Sequence, residues 1–174
     1  MHVGFASLAT LCLSLRVALC YNGTNFTLSN TWVGNAFLSN DWIWFTDPDP
    51  TNGRVRYVSQ EEAIQEGLAY GAFFSSLSES VEHISESVIN SVFFMRADDE
   101  NILDSTGPGR NSIRITSQES WADAIYVLDV LHMPEGCSTW PSFWTKSATS
   151  SWPAGGEIDI IEGILSSIVH LMDY

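Results

Sequence analysis

The segment GGEIDIIEG, residues 155–163, carries three carboxylates, Glu157, Asp159 and Glu162, among isoleucines and glycines. β-Branched residues bounded by glycines predict a strand, on which Glu157 and Asp159 share one face. Strict alternation would turn Glu162 to the other face, and one extra residue at Ile160-Ile161, a β-bulge, brings it back. The sequence therefore predicts three acids on one face of a bulged strand.

Acids grouped in this way repel one another, so the pattern indicates chemistry rather than stability. Retaining glycoside hydrolysis needs two carboxyl groups about 5–5.5 Å apart, one ionised as the nucleophile and one protonated as the acid. Clustered negative charges separate the pKa values of such a pair. The alternative is a solvated acidic edge of a sheet, which the demanding pattern of isoleucines and flanking glycines disfavours.

Three tryptophans, Trp140, Trp144 and Trp152, precede this segment closely. Indole faces stack on the apolar faces of sugar rings, and they also fill the cores of β-sandwiches. Core packing is the expectation for any single tryptophan. For Trp144 and Trp152, nearness to the carboxylates favours a place in a sugar-binding cleft.

The elements that must position these groups are short strands between turn-rich loops. Alternating or apolar β-rich stretches predict strands at residues 54–58, 92–96, 112–116 and 125–131. Many short strands with glycine and proline turns indicate an all-β sandwich or jelly roll. Residues 72–91 differ, because their apolar residues recur at helical spacing; this segment is either an inserted surface helix or sequence foreign to the mature fold.

Length and charge limit the remaining possibilities. The chain has 174 residues, 45% of them hydrophobic, which suits one domain with a real core. Its formal charge of -14, from 21 acidic and 7 basic side chains, would repel phosphate backbones and anionic lipid headgroups. Nucleic acid is therefore not an expected partner, and neither is a membrane surface.

The first twenty residues contain no acidic group and hold an apolar run from Val3 to Leu19. This predicts a secretory signal at residues 1–20 and a secreted, extracellular or cell-wall protein. Arg16 interrupts the run, and a membrane anchor is the alternative. Acceptor triplets for N-glycosylation at Asn22 and Asn25 agree with export.

Cleavage after residue 20 would leave Cys137 as a single cysteine. In an exported protein, it would be a buried thiol, a dimerising thiol or half of a disulfide.

Several stretches resemble one known family, glycoside hydrolase family 16, and within it the fungal laminarinase-type endo-β-1,3(4)-glucanases. They are DPTNGRVRYV at 49–58, FFMRAD at 93–98, GPGRNSIRI at 107–115, and LHMPEGCSTWPSFW at 131–144 followed by GGEIDIIEG. The resemblance implies a β-jelly-roll sandwich of the concanavalin A-like lectin and glucanase type. It also implies a β-glucan substrate, held in a cleft on the concave sheet, and a monomer when the domain is complete.

By the same resemblance, Glu157 is the nucleophile, Glu162 the acid/base, and Asp159 the residue that orients the nucleophile. Trp144 and Trp152 match positions near the subsites that adjoin the cleaved bond, and Arg110 reaches the glycone side. No organic cofactor or catalytic metal takes part. Some members bind a structural calcium away from the cleft, but no residues here indicate such a site.

The family has roughly as much sequence after its catalytic strand as before it, whereas only residues 163–174 follow Glu162. We therefore expect residues 21–174 to be the N-terminal part of a catalytic domain, with the disulfide partner of Cys137 elsewhere, and to be inactive and poorly soluble alone. Two alternatives stay open. A glucan-binding module has no need for three acids, and a cell-wall transglycosylase would use the same intermediate with a sugar acceptor.

Overall fold

The computed structural model describes residues 2–6, 9–11, 26–73, 91–134, 138–164 and 167–169, and most of its regular structure is β. A 3₁₀ helix, Gly34–Leu38, and one α-helix, α1 (Gln60–Gln65), lie between strands. The strands are β1 His2–Ala6, β2 Ala9–Leu11, β3 Trp42–Trp44, β4 Val55–Tyr57, β5 Ala69–Phe73, β6 Ser91–Met95, β7 Arg110–Ser112, β8 Arg114–Ser117, β9 Val130–His132, β10 Ser142–Lys146, β11 Glu157–Ile164 and β12 Ser167–Val169.

Two antiparallel sheets form the layers of the fold. The first has the strand order β12-β11-β10-β1-β8-β3, and the second has the order β5-β6-β2-β9. A parallel pair, β4 and β7, lies apart from both. The all-β class that the sequence predicts is confirmed.

The hydrophobic core joins the two sheets. Ile115 of β8 and Phe143 of β10 belong to the same buried cluster as Phe93 of β6. Phe37, in the 3₁₀ helix, stacks on Phe93 with ring centroids 4.9 Å apart and on Trp42 at 5.4 Å, so it bridges the layers. Because side chains alternate along a strand, the neighbours of Ile115 and Phe143 point to the opposite face of the first sheet.

The predicted strands at 54–58 and 92–96 are confirmed as β4 and β6. The predicted strand at 112–116 is divided at Ile113, where the chain leaves β7 and enters β8. The prediction for 125–131 is wrong for most of its length, since only its last two residues lie in β9. Tyr126 and Leu128 pack against the core while Ile125 and Val127 are exposed, so the alternation is present without strand pairing.

Helix α1 is an element that the sequence reading missed. Ser59 is its N-cap, and the Ser59 side chain accepts a hydrogen bond from the backbone N–H of Glu62 at 3.2 Å. Glu61 and Glu62 lie in the first turn, where negative charge is favourable. Serine followed three residues later by glutamate is the signal that could have found it.

Two parts of the predicted signal peptide lie in the sheets. Strand β1 is paired on one side with β10, from His2↔Lys146 to Ala6↔Ser142, and on the other with β8. Strand β2 lies between β6 and β9. Backbone pairing does not decide whether the segment is cleaved, so the signal peptide stays a prediction. The helix prediction for 72–91 lies largely outside the described residues, as do Cys137 and the acceptor residues Asn22 and Asn25.

Candidate active site

Strand β11 carries the three carboxylates, and its pairing with β10 contains the expected irregularity. Glu157, Asp159 and Glu162 are opposite Lys146, Trp144 and Ser142, and Ile161 is opposite Phe143, which leaves Ile160 as the extra residue. The predicted bulge is therefore confirmed. It keeps Ile161 against the core while Glu162 returns to the face of Asp159.

A cleft of about 890 Å³ covers this face. Gly156, which leads directly into β11, has a φ of +75°, a backbone conformation that glycine adopts without strain. All six residues predicted for the site line the cleft: Glu157, Asp159, Glu162, Trp144, Trp152 and Arg110.

Each outer carboxylate receives a hydrogen bond from an indole. Trp152 Nε1 donates to Glu157 Oε2 at 2.5 Å, and Trp140 Nε1 donates to Glu162 Oε1 at 2.8 Å. Bonds to a carboxylate are among the stronger hydrogen bonds and fix its orientation. Trp152 comes from the turn before β11, and Trp140 from the segment before β10.

Trp144 and Arg114 form the floor of the cleft and are 6% and 8% exposed. The Arg114 guanidinium lies 4.8 Å from the ring centroid of Phe45 and 5.1 Å from that of Trp144. Trp144 in turn meets Trp152 edge to face, with centroids 6.4 Å apart. Trp144 therefore contacts both Arg114 of β8 and Trp152, the indole that binds Glu157.

Arg114 also affects two ionisable neighbours. Burial lowers the pKa of the Lys146 ammonium, and the positive charge of Arg114 lowers it further. Burial and the charge of Asp49 raise the pKa of the Tyr57 phenol, while Arg114 offsets part of that rise. Arg114 thus acts on the ionisation of groups from two other strands, Tyr57 of β4 and Lys146 of β10.

Two residues of this arrangement were not predicted as site residues. Trp140 was expected in the core, yet it is 53% exposed and binds Glu162. Arg114 alternates with Ile113 and Ile115 in the sequence, which could have shown that it faces away from the core. Arg110 lines the cleft as expected, but its Nη1 atom donates to the backbone oxygens of Asp98 at 3.1 Å and Asn101 at 3.0 Å.

The loop between β6 and β7 forms one wall of the cleft and is held by Asp98, which is 8% exposed. Its Oδ1 accepts bonds from the backbone N–H groups of Glu100 at 3.0 Å and Asn101 at 3.1 Å, and Oδ2 lies 3.8 Å from Arg110. Burial alone would raise the pKa of Asp98, but these hydrogen bonds and the charge of Arg110 lower it overall. The ionised side chain therefore stabilises the fold at neutral pH, and that contribution is lost in acid.

Replacing Asp98 by Asn should lower the free energy of unfolding at pH 7 by about 1–3 kcal/mol, since a neutral amide oxygen accepts these bonds more weakly. The deficit should shrink as the pH falls through the lowered pKa of Asp98, because the wild-type carboxylate itself then becomes protonated. Denaturant unfolding of both proteins at neutral and acidic pH measures this difference. Asp123→Asn, at an exposed site, is the control; an equal loss for Asp98→Asn at both pH values would exclude charge as the cause.

The described residues hold neither a candidate metal site nor a helix that could span a membrane. No group of three or more histidine, cysteine, aspartate or glutamate side chains there is arranged to hold a metal ion. In the same ranges, every helix is too short or too polar to cross a bilayer.

Comparison with known proteins adds a family match. Residues 42–172 match the family described as XgeA-like, catalytic GH16 domain. The chain is 39% identical over 147 residues to the endo-1,3(4)-beta-glucanase XgeA of Emericella nidulans, an alignment that covers 84% of this chain and 20% of the relative. The chain spans between 19% and 24% of the length of the curated relatives it matches.

Two solved structures share the fold. One is the GH16 Laminarinase 16A from Phanerochaete chrysosporium with beta-glucans in donor and acceptor sites, at a TM-score of 0.65 and 37% identity, covering 82% of this chain and 42% of that one. The other is an elongating GH family 16 beta-1,3-glucosyltransferase, at 0.66 and 38%, covering 81% and 41%. The jelly-roll sandwich predicted from the sequence is confirmed by these similarities.

Proposed function

The chain belongs to glycoside hydrolase family 16, and from that premise we propose that it supplies the nucleophile and the acid/base of a retaining endo-hydrolase of β-1,3- or mixed β-1,3/1,4-glucans. The observation that carries this proposal is the bulged strand, which presents Glu157, Asp159 and Glu162 to one cleft with an indole N–H on each outer acid. The relatives and solved neighbours that act on such glucans support the substrate class.

In the first step, Glu157 attacks the anomeric carbon while Glu162 gives its proton to the departing oxygen. The bond from the anomeric carbon to that oxygen breaks, and a glycosyl ester on Glu157 forms. Asp159 lies between the two on the same face and orients Glu157. Glu162 then takes a proton from water, whose oxygen attacks the anomeric carbon and releases Glu157.

The cleft suits a polymer better than a small sugar. Its volume of about 890 Å³ is in the upper part of the range for ligand pockets, and it has aromatic side chains along its floor and mouth. Trp152 supplies a half-buried apolar face next to the acids, as the stacking of pyranose rings requires, and the buried Trp144 packs against it.

A transglycosylase is the second candidate, because a solved neighbour is an elongating glucosyltransferase. Such an enzyme uses the same glycosyl ester and lets a sugar hydroxyl replace water. A glucan-binding module without catalysis is disfavoured, since binding alone has no use for three adjacent acids.

The deciding experiment is to express this chain and any longer product of the same transcript, and to assay each on laminarin beside its Glu157→Gln variant. Shorter oligosaccharides indicate hydrolysis, and oligosaccharides longer than the supplied acceptor indicate transfer. Binding without cleavage in every product would overturn the hydrolase proposal and support the binding module.

Export to the cell surface or wall is a separate proposal, supported by the apolar run at 3–19. N-terminal sequencing of protein recovered from the culture medium tests it. A mature protein that begins beyond residue 20 would support cleavage. Protein that stays in the cells, or that is exported with His2–Ala6 intact, would contradict a cleaved leader.

A further inference from the structure

Trp140 combines an anchored N–H with an open ring. Its Nε1 atom donates to Glu162 at 2.8 Å, although the side chain is 53% exposed at the cleft. The segment that carries it is tied to the strand of Glu162, because the N–H of Gly163 donates to the carbonyl oxygen of Pro141 at 3.1 Å. The indole therefore has a fixed position beside the carboxylate.

The Trp152–Glu157 pair differs in one respect. The ring of Trp152 meets that of Trp144, whereas Trp140 has no ring partner within the described part of the chain. Trp152 is thus part of the aromatic floor of the cleft, whereas Trp140 exposes its ring to a ligand in the cleft.

We propose that Trp140 is the positioning residue for Glu162 and that a sugar ring stacked on its open face determines which acceptor Glu162 activates. This inference rests on the proposed function. Glu162 protonates the departing oxygen, so the ring beside Glu162 lies on the leaving-group side of the cleft. The same place receives the acceptor in the second step.

The choice of acceptor follows from that geometry. When a glucan end is stacked on Trp140, its hydroxyl gives a proton to Glu162 while its oxygen attacks the anomeric carbon and the ester bond to Glu157 breaks. When the place is empty, water does the same. Stacking raises the local concentration of the sugar hydroxyl but not that of water, so Trp140 favours transfer over hydrolysis.

The first test measures the hydrogen bond and needs no turnover. In the full chain labelled with ¹⁵N-tryptophan, Glu162→Gln should move the indole N–H resonance of Trp140, which is assigned through Trp140→Phe. Glu157→Gln is the reciprocal control and should move the resonance of Trp152 instead. Laminaritriose should then perturb the Trp140 resonance in the wild type. A Trp140 resonance that ignores both Glu162→Gln and laminaritriose would overturn the proposal.

The second test separates the N–H from the ring. Trp140→Phe keeps a ring and should lower kcat about tenfold with little change in KM, as expected for one lost bond to a carboxylate. Trp140→Ala should also lower the ratio of transfer to hydrolysis about threefold to tenfold. Trp32→Phe is the matched control, because it removes an indole bond to a carboxylate, Asp41 at 2.9 Å, outside the cleft.

The outcomes distinguish the two proposals. If Trp140→Phe behaves like Trp32→Phe, or Trp140→Ala leaves the product ratio unchanged, the role of Trp140 is refuted while glucanase activity stands. If no product of the gene cleaves laminarin, the proposed function fails, and the resonance test still decides whether Trp140 holds Glu162 and meets the sugar.

Discussion

Replacing Glu157 by Gln in a product that cleaves laminarin should lower kcat by on the order of 10⁴-fold or more, because an amide cannot form the glycosyl ester. The amide oxygen can still accept the hydrogen bond from Trp152, so binding of the glucan and the stability of the fold should change little. Steady-state kinetics with isothermal binding measurements on the same variant separate the two quantities.

A pair of azide experiments assigns the roles within the strand. In Glu157→Ala, azide can enter in place of the carboxylate and should give an α-glycosyl azide from an activated aryl β-glucoside. In Glu162→Ala, azide attacks the intact glycosyl ester on Glu157, and the product should be the β-anomer. If each variant gives the opposite anomer, Glu162 is the nucleophile and Glu157 is the acid/base.

A control must show that catalysis depends on a carboxylate on β11 and not on any carboxylate in the cleft. Glu100 also lines the cleft, but it comes from the loop after β6. Glu100→Gln should therefore retain kcat within a factor of about three, the range of ordinary surface substitutions. A loss as large as that of Glu157→Gln would contradict the assignment of chemistry to the bulged strand.

Deleting residues 1–11 tests the structural role of β1 against the proposed cleaved leader; where β1 pairs as in the structure, the deletion should abolish cooperative unfolding of this chain. Strand β1 lies between β8 and β10, and neighbouring strands are about 4.8 Å apart, so the two would be left roughly 10 Å from each other with unpaired backbone groups. The second sheet would lose β2 in the same way. We expect aggregation, visible by size-exclusion chromatography, and loss of the near-ultraviolet circular dichroism signal.

Supplying the deleted residues as a separate peptide tests whether loss of the N-terminal strands causes the aggregation. A synthetic peptide of residues 1–12 should restore the near-ultraviolet circular dichroism signal by adding the missing strand. The same peptide with proline at Gly4 should not restore it, because proline has no backbone N–H to donate and its fixed φ restricts strand pairing. If the shortened chain folds as well as the full one, β1 is dispensable and the segment is free to serve as a cleaved leader.

The sequence was most informative where local pattern controls the result. Isoleucine alternation and flanking glycines were enough to predict β11, and the spacing of Asp159 and Glu162 required the bulge that the pairing with β10 contains. A bulge is readable here because a charged residue on the core face would be costly.

Other features depend on which strands become neighbours, and the sequence does not contain that information locally. Trp140 reaches Glu162 only through the register of β10 on β11, and Arg114 reaches Trp144 only across β1. Residues 125–131 have the alternation of a strand, but only the last two of them pair with a neighbouring strand. The apolar run at the N-terminus fits both a leader and a buried strand, because both need the same composition.

The position of β1 also bears on the order in which the chain can fold. This strand is synthesised before its partners, Arg114–Thr116 and Ser142–Lys146, which follow it by more than a hundred residues. Closing so long a loop costs entropy before any pairing rewards it, and folds with such distant contacts form slowly. Until then the apolar segment is exposed, and it is open to export factors, chaperones or other nascent chains. Under the export proposal, competition between capture and strand pairing would be settled during synthesis, so slower translation should favour capture.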